Sequence, residues 1–207
     1  MKVEVLGDAD SVARRGAAII AGEAREAIAE RSRFILAVSG GQTPWVMLRF
    51  LAGEKVPWER VHVVQVDERV APGGHPDRNL THLRESLLAY APLRPEQIHG
   101  MPVESPDLED AAARYALTLQ EIAGSPPVLD LTHLGLGPDG HTASLIPGDP
   151  VLEVTSADVA LSRVYQGRRR AQSWSILPIP ISTSSSTAAR LFATASASDA
   201  TVSPGLA

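Results

Sequence analysis

The chain has 207 residues, of which 44% are hydrophobic and 21% charged, enough for one globular domain with a substantial core. Its net charge of −5 argues against a nucleic-acid partner, and the absence of cysteine excludes disulfides, thiolate nucleophiles and Cys-ligated metals. Residues 1–11 lack an apolar signal region, and no stretch approaches the roughly 18 apolar residues of a membrane span. We therefore expect a cytoplasmic protein without membrane association.

The first two thirds of the chain alternate strand and helix patterns. A short strand is predicted over Val3 to Leu6, and a helix over residues 12–31 follows the capping side chains of residues 8–11. Phe34 to Val38 is apolar throughout, as expected of a parallel strand buried on both faces. The other predicted elements are strands over 61–66, 129–136 and 159–164, a short strand or extended crossover over 98–103, and helices over 80–90 and 105–124, the last with Ser105 as N-cap. This alternation predicts an α/β fold with a doubly wound, mostly parallel sheet and helices on both faces.

A glycine-containing turn, SGGQTP at residues 39–44, directly follows the strand at 34–38. Thr43 is the predicted N-cap and Pro44 the first helical residue, so the backbone N–H groups from Gly40 to Thr43 lack intrahelical acceptors. Such a cradle suits a phosphate, although an ordinary tight turn explains the pattern equally well.

Charged residues follow the strand at 61–66. Asp67, Glu68 and Arg69 either begin a solvated loop or place the Arg69 guanidinium where it can bind a phosphate held by the glycine turn. The next segment, residues 70–79, is rich in Pro and Gly and is predicted to form a lid or rim.

The segment from Leu129 to Gly148 combines a buried strand with a glycine-rich turn that carries Asp139 and His141. A neutral imidazole with a carboxylate two residues away can act as a general base with an orienting partner. The alternative is that Asp139 caps the short helix predicted over residues 142–145 and that His141 is a surface residue. Backbone N–H groups of residues 140–142 are candidate donors to an oxyanion.

The composition changes after Arg170. Residues 171–207 contain 13 Ser and Thr, against 15 in the preceding 170 residues, and only two charged residues, Arg190 and Asp199. Such a segment cannot form an amphipathic helix with a charged outer face, so we expect a single α/β domain over residues 1–170 and a poorly ordered tail. Residues 176–181, ILPIPI, could still form an edge strand.

Four motifs in consistent order resemble the 6-phosphogluconolactonase family: SGGQTP at 39–44, VDERV at 66–70, HPDRN at 75–79 and LGLGPDGHTASLIPG at 134–148. The resemblance covers roughly residues 1–170 and implies a fold similar to glucosamine-6-phosphate deaminase and ribose-5-phosphate isomerase. The implied reaction is hydrolysis of 6-phosphogluconolactone to 6-phosphogluconate in the pentose phosphate pathway, without a metal or cofactor.

The resemblance also implies roles for individual residues. His141 is the general base, and Asp139 either orients its imidazole or shapes the turn. The implied substrate and phosphate contacts are Ser39, Gly40, Gly41, Gln42, Thr43, Asp67, Arg69 and Asn79.

The sequence departs from the family in two places. Arg78 stands where the family usually has Ser, which leaves the rim contact there open. After Arg170 the family would continue with further strands and a phosphate-facing Lys, whereas the last Lys here is Lys55. The abrupt change is what translation in a shifted reading frame would produce.

Two other functions are compatible with the same motifs. A sugar-phosphate isomerase or deaminase would need a second acid/base carboxylate, for which Asp67 is the candidate. The related deaminases have a Phe-Asn-Glu-Pro-like run where this chain has residues 144–147, SLIP, and the missing Glu argues against their chemistry. A phosphosugar-binding protein without a complete active site is the second alternative. The motifs predict no oligomeric state.

Overall fold

The computed structural model describes residues 3–137, 140–165, 167–173 and 190–194. The helices and strands in chain order are α1 (Ala9–Arg31), β1 (Phe34–Val38), α2 (Gln42–Ala52), β2 (Val61–Gln65), β3 (Asp67–Arg69), α3 (Asn79–Leu83), β4 (Ile98–His99), α4 (Leu108–Ala123), β5 (Leu131–Gly135), β6 (Val159–Tyr165), β7 (Arg168–Ser173) and β8 (Arg190–Thr194). Helix α3 continues as a π-helical segment over Arg84–Leu88. Short 3-10 helices cover Trp58–Arg60, Pro95–Gln97 and Pro150–Glu153.

The main sheet has five parallel strands in the order β4-β2-β1-β5-β8. Because side chains alternate along a strand, β1 contributes to cores on both faces. Phe34 and Leu36 pack in the core that contains α1, α2 and α3, and Ile35 and Ala37 pack in the core that contains α4. Helices therefore cover both faces, which confirms the predicted doubly wound α/β fold.

A second, antiparallel sheet was not predicted. It contains β3, β7 and β6 in that order, so the strand predicted near residues 159–164 pairs with β7 outside the main sheet. Residues 67–69, predicted as the start of a loop, form its strand β3.

Two predicted helix starts were wrong by two residues. Helix α2 begins at Gln42 with Gly41 as N-cap, because the left-handed φ of 123° at Gly41 already turns the chain into the helix. Helix α4 is capped by Asp107 instead of Ser105, and the Asp107 carboxylate accepts a 3.0 Å hydrogen bond from the backbone N–H of Asp110.

Two predicted elements are absent. Residues 3–6 form no strand; residues 3–5 are exposed and Leu6 is half-buried. The helix predicted over residues 142–145 is instead a tight turn, closed by a bridge between Thr142 and Leu145, with Ala143 at a φ of 54°.

The predicted domain boundary at residue 170 falls inside β7, and residues 190–194 of the predicted tail form β8 next to β5. Residues 174–189, which include the ILPIPI segment, and residues 195–207 lie outside the described residues. Within the part of the chain described, no helix combines the length and apolarity needed to cross a bilayer.

Candidate active site

The predicted site residues that the structure describes lie at the carboxyl edge of the main sheet. The glycine turn follows β1, strand β3 follows β2, and the turn with His141 follows β5. Since β1 lies between β2 and β5, these three connections are neighbours. Ligands of open α/β sheets bind at this edge.

The glycine turn approaches Asn79 closely. A Cβ atom on Gly40 would lie 1.9 Å from Asn79 Oδ1, so only glycine fits there. The first N–H groups of α2, those of Gln42 and Thr43, have no acceptor within the helix. The side chain of Ser39 is buried, and its Oγ accepts a 3.1 Å hydrogen bond from Gly135 N, which ties the glycine turn to the end of β5.

The side chain of Asn79 joins Asp67 to Arg69. Its Nδ2 donates to Asp67 O at 2.9 Å and to Asp67 Oδ1 at 3.3 Å, and its Oδ1 accepts from Arg69 Nη1 at 2.8 Å. Arg69 Nη1 also donates to Asp77 O at 3.0 Å, whereas the buried Arg69 Nε has no hydrogen-bond partner in the described part of the chain. One guanidinium nitrogen, Nη1, thus holds the side chain in place.

Asp67 connects this network to the turn after β5. Its carboxylate is buried, and Oδ2 accepts a 2.6 Å hydrogen bond from the fully buried Ser144 Oγ. Burial raises the pKa of the Asp67 carboxyl, and the nearby Arg69 charge opposes that shift. With Asn79 on one carboxylate oxygen and Ser144 on the other, Asp67 links three separate segments.

His141 lies in a compact turn after β5. Gly137 N donates to His141 O at 2.8 Å, and Gly140 N donates to Gly137 O at 3.0 Å. A Cβ atom on Gly137 would lie 2.3 Å from His141 Cε1, so the imidazole packs directly on this glycine. Asp139, the predicted orienting residue, lies outside the described residues.

The structure therefore brings Gly40, Asp67, Arg69 and Asn79 into one network, with Ser39 and Ser144 connecting it to the β5 turn. Gln42 is exposed at the start of α2, and Gly41 and Thr43 are half-buried there. No three His, Asp or Glu side chains among the described residues are arranged to hold a metal ion.

The sequence analysis missed three polar residues of this region. Arg78, predicted at the rim, is buried and forms ion pairs with Glu68 at 3.0 Å and with Glu104 at 3.0 Å. Glu68 and Ser144 are completely buried and had no predicted role. The only sequence signal for Ser144 is its position three residues after His141.

The sequence matches the family described as glucosamine-6-phosphate isomerases/6-phosphogluconolactonase over residues 7–175. It is 39% identical to the 6-phosphogluconolactonase of Synechocystis sp. over 157 residues, which are 74% of this chain and 65% of that protein. It is 38% identical to the 6-phosphogluconolactonase of Pseudomonas aeruginosa over 152 residues, which are 73% of this chain and 62% of that protein. A crystal structure of 6-phosphogluconolactonase from Thermotoga maritima has a TM-score of 0.71 at 26% identity and covers 82% of this chain and 75% of that one.

This chain spans less than two thirds of the length of the Synechocystis and Pseudomonas proteins, 65% and 62% respectively. The family match ends at residue 175, close to the change of composition after Arg170. It includes all four motifs and both turns of the candidate site. The chain belongs to the family of glucosamine-6-phosphate isomerases and 6-phosphogluconolactonases.

Proposed function

We propose that this chain hydrolyses 6-phosphogluconolactone to 6-phosphogluconate. The observation that carries the proposal is the hydrogen-bonded network from Arg69 through Asn79 and Asp67 to Ser144. It joins a phosphate cradle to the turn of a histidine at one edge of the sheet. Relatives named 6-phosphogluconolactonase, 38 and 39% identical, support the choice of substrate.

In the proposed binding mode, the substrate phosphate lies at the start of α2. The N–H groups of Gln42 and Thr43 donate to it, and the partly exposed Arg69 guanidinium supplies a positive charge beside it. Asn79, Asp67 and Ser39 are buried and shape the walls in this proposal, without contacting the phosphate themselves. Anchoring the phosphate fixes the lactone carbonyl relative to His141.

In the proposed reaction, the neutral His141 imidazole takes a proton from water as the water oxygen bonds to the lactone carbonyl carbon. The ring C–O bond then breaks, and the leaving alkoxide takes the proton from the imidazolium. General base catalysis of this kind contributes roughly 10² to 10⁴ in rate. We leave Asp139 with either an orienting or a turn-forming role.

The oxyanion of the tetrahedral intermediate needs hydrogen-bond donors near His141. Of the predicted candidates, Gly140 N already donates to Gly137 O within the turn. We therefore assign the role to the other candidates, the backbone N–H groups of His141 and Thr142 next to the base.

Isomerase or deaminase chemistry is the second candidate, because the raised pKa of Asp67 is a property of a general acid or base. Against it, donors already occupy both Asp67 oxygens, and Ile146 stands where the deaminases have Glu.

The decisive experiment compares two activities of the purified chain. Loss of 6-phosphogluconolactone is followed above its spontaneous hydrolysis, and ammonia release from glucosamine-6-phosphate is measured in parallel. Lactone turnover without ammonia release is expected. Ammonia release would favour the deaminase, and absence of both activities would favour a binding protein.

His141→Ala is expected to lower kcat by at least about 100-fold and to change KM by only a few-fold, because the imidazole acts on water. His62→Ala is the matched control. His62 pairs with Ile35 near the amino ends of β2 and β1, whereas the site lies at the carboxyl ends of the strands. Near-normal turnover by His141→Ala would remove His141 from the mechanism.

A further inference from the structure

Glu68 is a completely buried carboxylate directly between Asp67 and Arg69, and the proposed reaction gives it no chemical role. A buried carboxylate is costly unless hydrogen bonds and an opposite charge compensate for the loss of water. Its partners therefore indicate what Glu68 does.

Three backbone N–H groups donate to the Glu68 carboxylate. Arg69 N and Asn79 N donate to Oε1 at 2.8 and 2.7 Å, and Leu80 N donates to Oε2 at 2.9 Å. Glu68 thus holds the backbone of β3 against the first residues of α3, and Arg69 and Asn79 lie on the two sides of that junction.

Two side chains complete the environment. Gln65 Nε2 donates to Glu68 Oε2 at 2.9 Å, and Gln65 is itself fixed by Met101 N, which donates to its Oε1 at 2.9 Å. Arg78 Nε lies 3.0 Å from Glu68 Oε2, and Arg78 Nη1 donates to Ala71 O at 2.9 Å. These contacts extend the network to the loop before α3.

We propose that Glu68 is the positioning residue of the phosphate site. Without touching the substrate, it sets the backbone of Arg69 and Asn79. The Asn79 side chain in turn holds the Arg69 guanidinium and packs on the turn at Gly40. The inference rests on the proposed phosphate site and adds the residue that determines its geometry.

The test compares Glu68→Gln with Asp130→Asn, which makes the same carboxylate-to-amide change elsewhere. Asp130 also accepts from a backbone N–H, Ile35 N at 2.8 Å, and from an arginine, Arg31 Nη2 at 2.8 Å. Asp130 directly precedes β5 and so lies at the amino ends of the strands, away from the site at their carboxyl ends. For each variant, KM and kcat for the lactone are measured, together with the Kd of 6-phosphogluconate by calorimetry.

Glu68→Gln is expected to raise KM and Kd about tenfold or more and to lower kcat by less than about threefold, because the phosphate contact weakens while His141 is untouched. Asp130→Asn is expected to leave all three constants within about twofold, even if its urea unfolding midpoint falls as much as that of Glu68→Gln. A folded Glu68→Gln with unchanged KM and Kd overturns the inference.

A second pair of variants applies if Glu68→Gln does not fold. Arg78→Met removes one partner of Glu68 and leaves its three backbone donors, whereas Glu104→Gln removes only the outer partner of Arg78. A rise in KM of about threefold for Arg78→Met alone supports the inference. The inference is overturned if both variants raise KM equally, or if a folded Arg78→Met leaves KM unchanged.

The wild-type chain separates this inference from the proposed function. Lactone turnover with unchanged constants in the Glu68 variant contradicts the positioning role alone. A wild-type chain that neither hydrolyses the lactone nor binds 6-phosphogluconate contradicts both.

Discussion

At the scale of single residues, burial of charge is what the sequence could not predict. Asp67, Glu68 and Arg69 stand in a row, a pattern typical of an exposed loop start. In the structure Asp67 is 2% and Glu68 0% exposed. Their donors include Asn79 N, 11 residues from Glu68, and Ser144 Oγ, 77 residues from Asp67. Residue types at the strand ends indicated a candidate site, whereas long-range contacts decide which of its charged groups are buried.

His133 provides a test at the same scale. Its side chain is fully buried in β5, and burial lowers the pKa of its imidazole from 6.5 to about 4. The unfolded chain binds this proton near pH 6.5 and the folded chain only near pH 4, so acid favours unfolding between these values. His133 should therefore reduce the free energy of unfolding by about 2 kcal/mol between pH 7.5 and pH 5.

Urea unfolding of wild type and His133→Gln at both pH values measures this contribution. The variant should lose about 2 kcal/mol less than wild type as the pH falls. Asp67 acts in the opposite direction, because burial raises the pKa of its carboxyl, but it is present in both proteins and cancels in the difference. Equal losses would show that the charge of His133 does not destabilise the fold.

At the scale of elements, local patterns predicted the structure well where the partners are local. Strand β1 and helix α1 follow from an apolar run and from helical spacing, and Asp8 caps α1 by accepting from Ser11 N at 2.6 Å. The helix predicted over residues 142–145 failed because the contact that shapes this segment, Ser144 to Asp67, is distant in sequence. Ala143 at a φ of 54° is unfavourable for an L-residue, so flanking contacts must hold the turn.

Ser144→Ala tests whether this turn positions the His141 imidazole, the proposed general base. Loss of the 2.6 Å hydrogen bond to Asp67 should let Ala143 relax and His141 shift from Gly137. We expect kcat to fall about tenfold, while the Kd of 6-phosphogluconate changes less than about twofold.

Ser86→Ala is the matched control for Ser144→Ala. Ser86 is also buried, and its Oγ donates to His82 O at 2.6 Å, from the π-helical segment to α3. This variant should keep wild-type kcat. A Ser144→Ala enzyme as fast as the control would show that the turn holds His141 without the serine.

At the scale of the whole molecule, strand and helix alternation predicted the parallel sheet but missed the antiparallel one. Strand β3 has only three residues, all charged. Its partners in β7 are distant in sequence, and even the nearest pair, Arg69 and Arg170, is 101 residues apart. In the tail, the sequence predicted less regular structure than is found. Its composition predicts little order, yet five of its residues form β8, paired along the whole of β5.

The contribution of β8 can be measured with two chains that differ only in that strand, residues 1–189 and residues 1–194. All five residues of β5, Leu131 to Gly135, pair with β8, and without it the backbone N–H and C=O groups on that side of β5 form an open sheet edge. The fully buried His133 lies in this strand and would lie at the edge. We expect the shorter chain to unfold at a lower urea concentration, with a loss of at least about 2 kcal/mol, and to scatter more light at equal concentration. Identical midpoints and scattering would mean that β8 adds no stability and that the segment is as loosely held as its composition predicts.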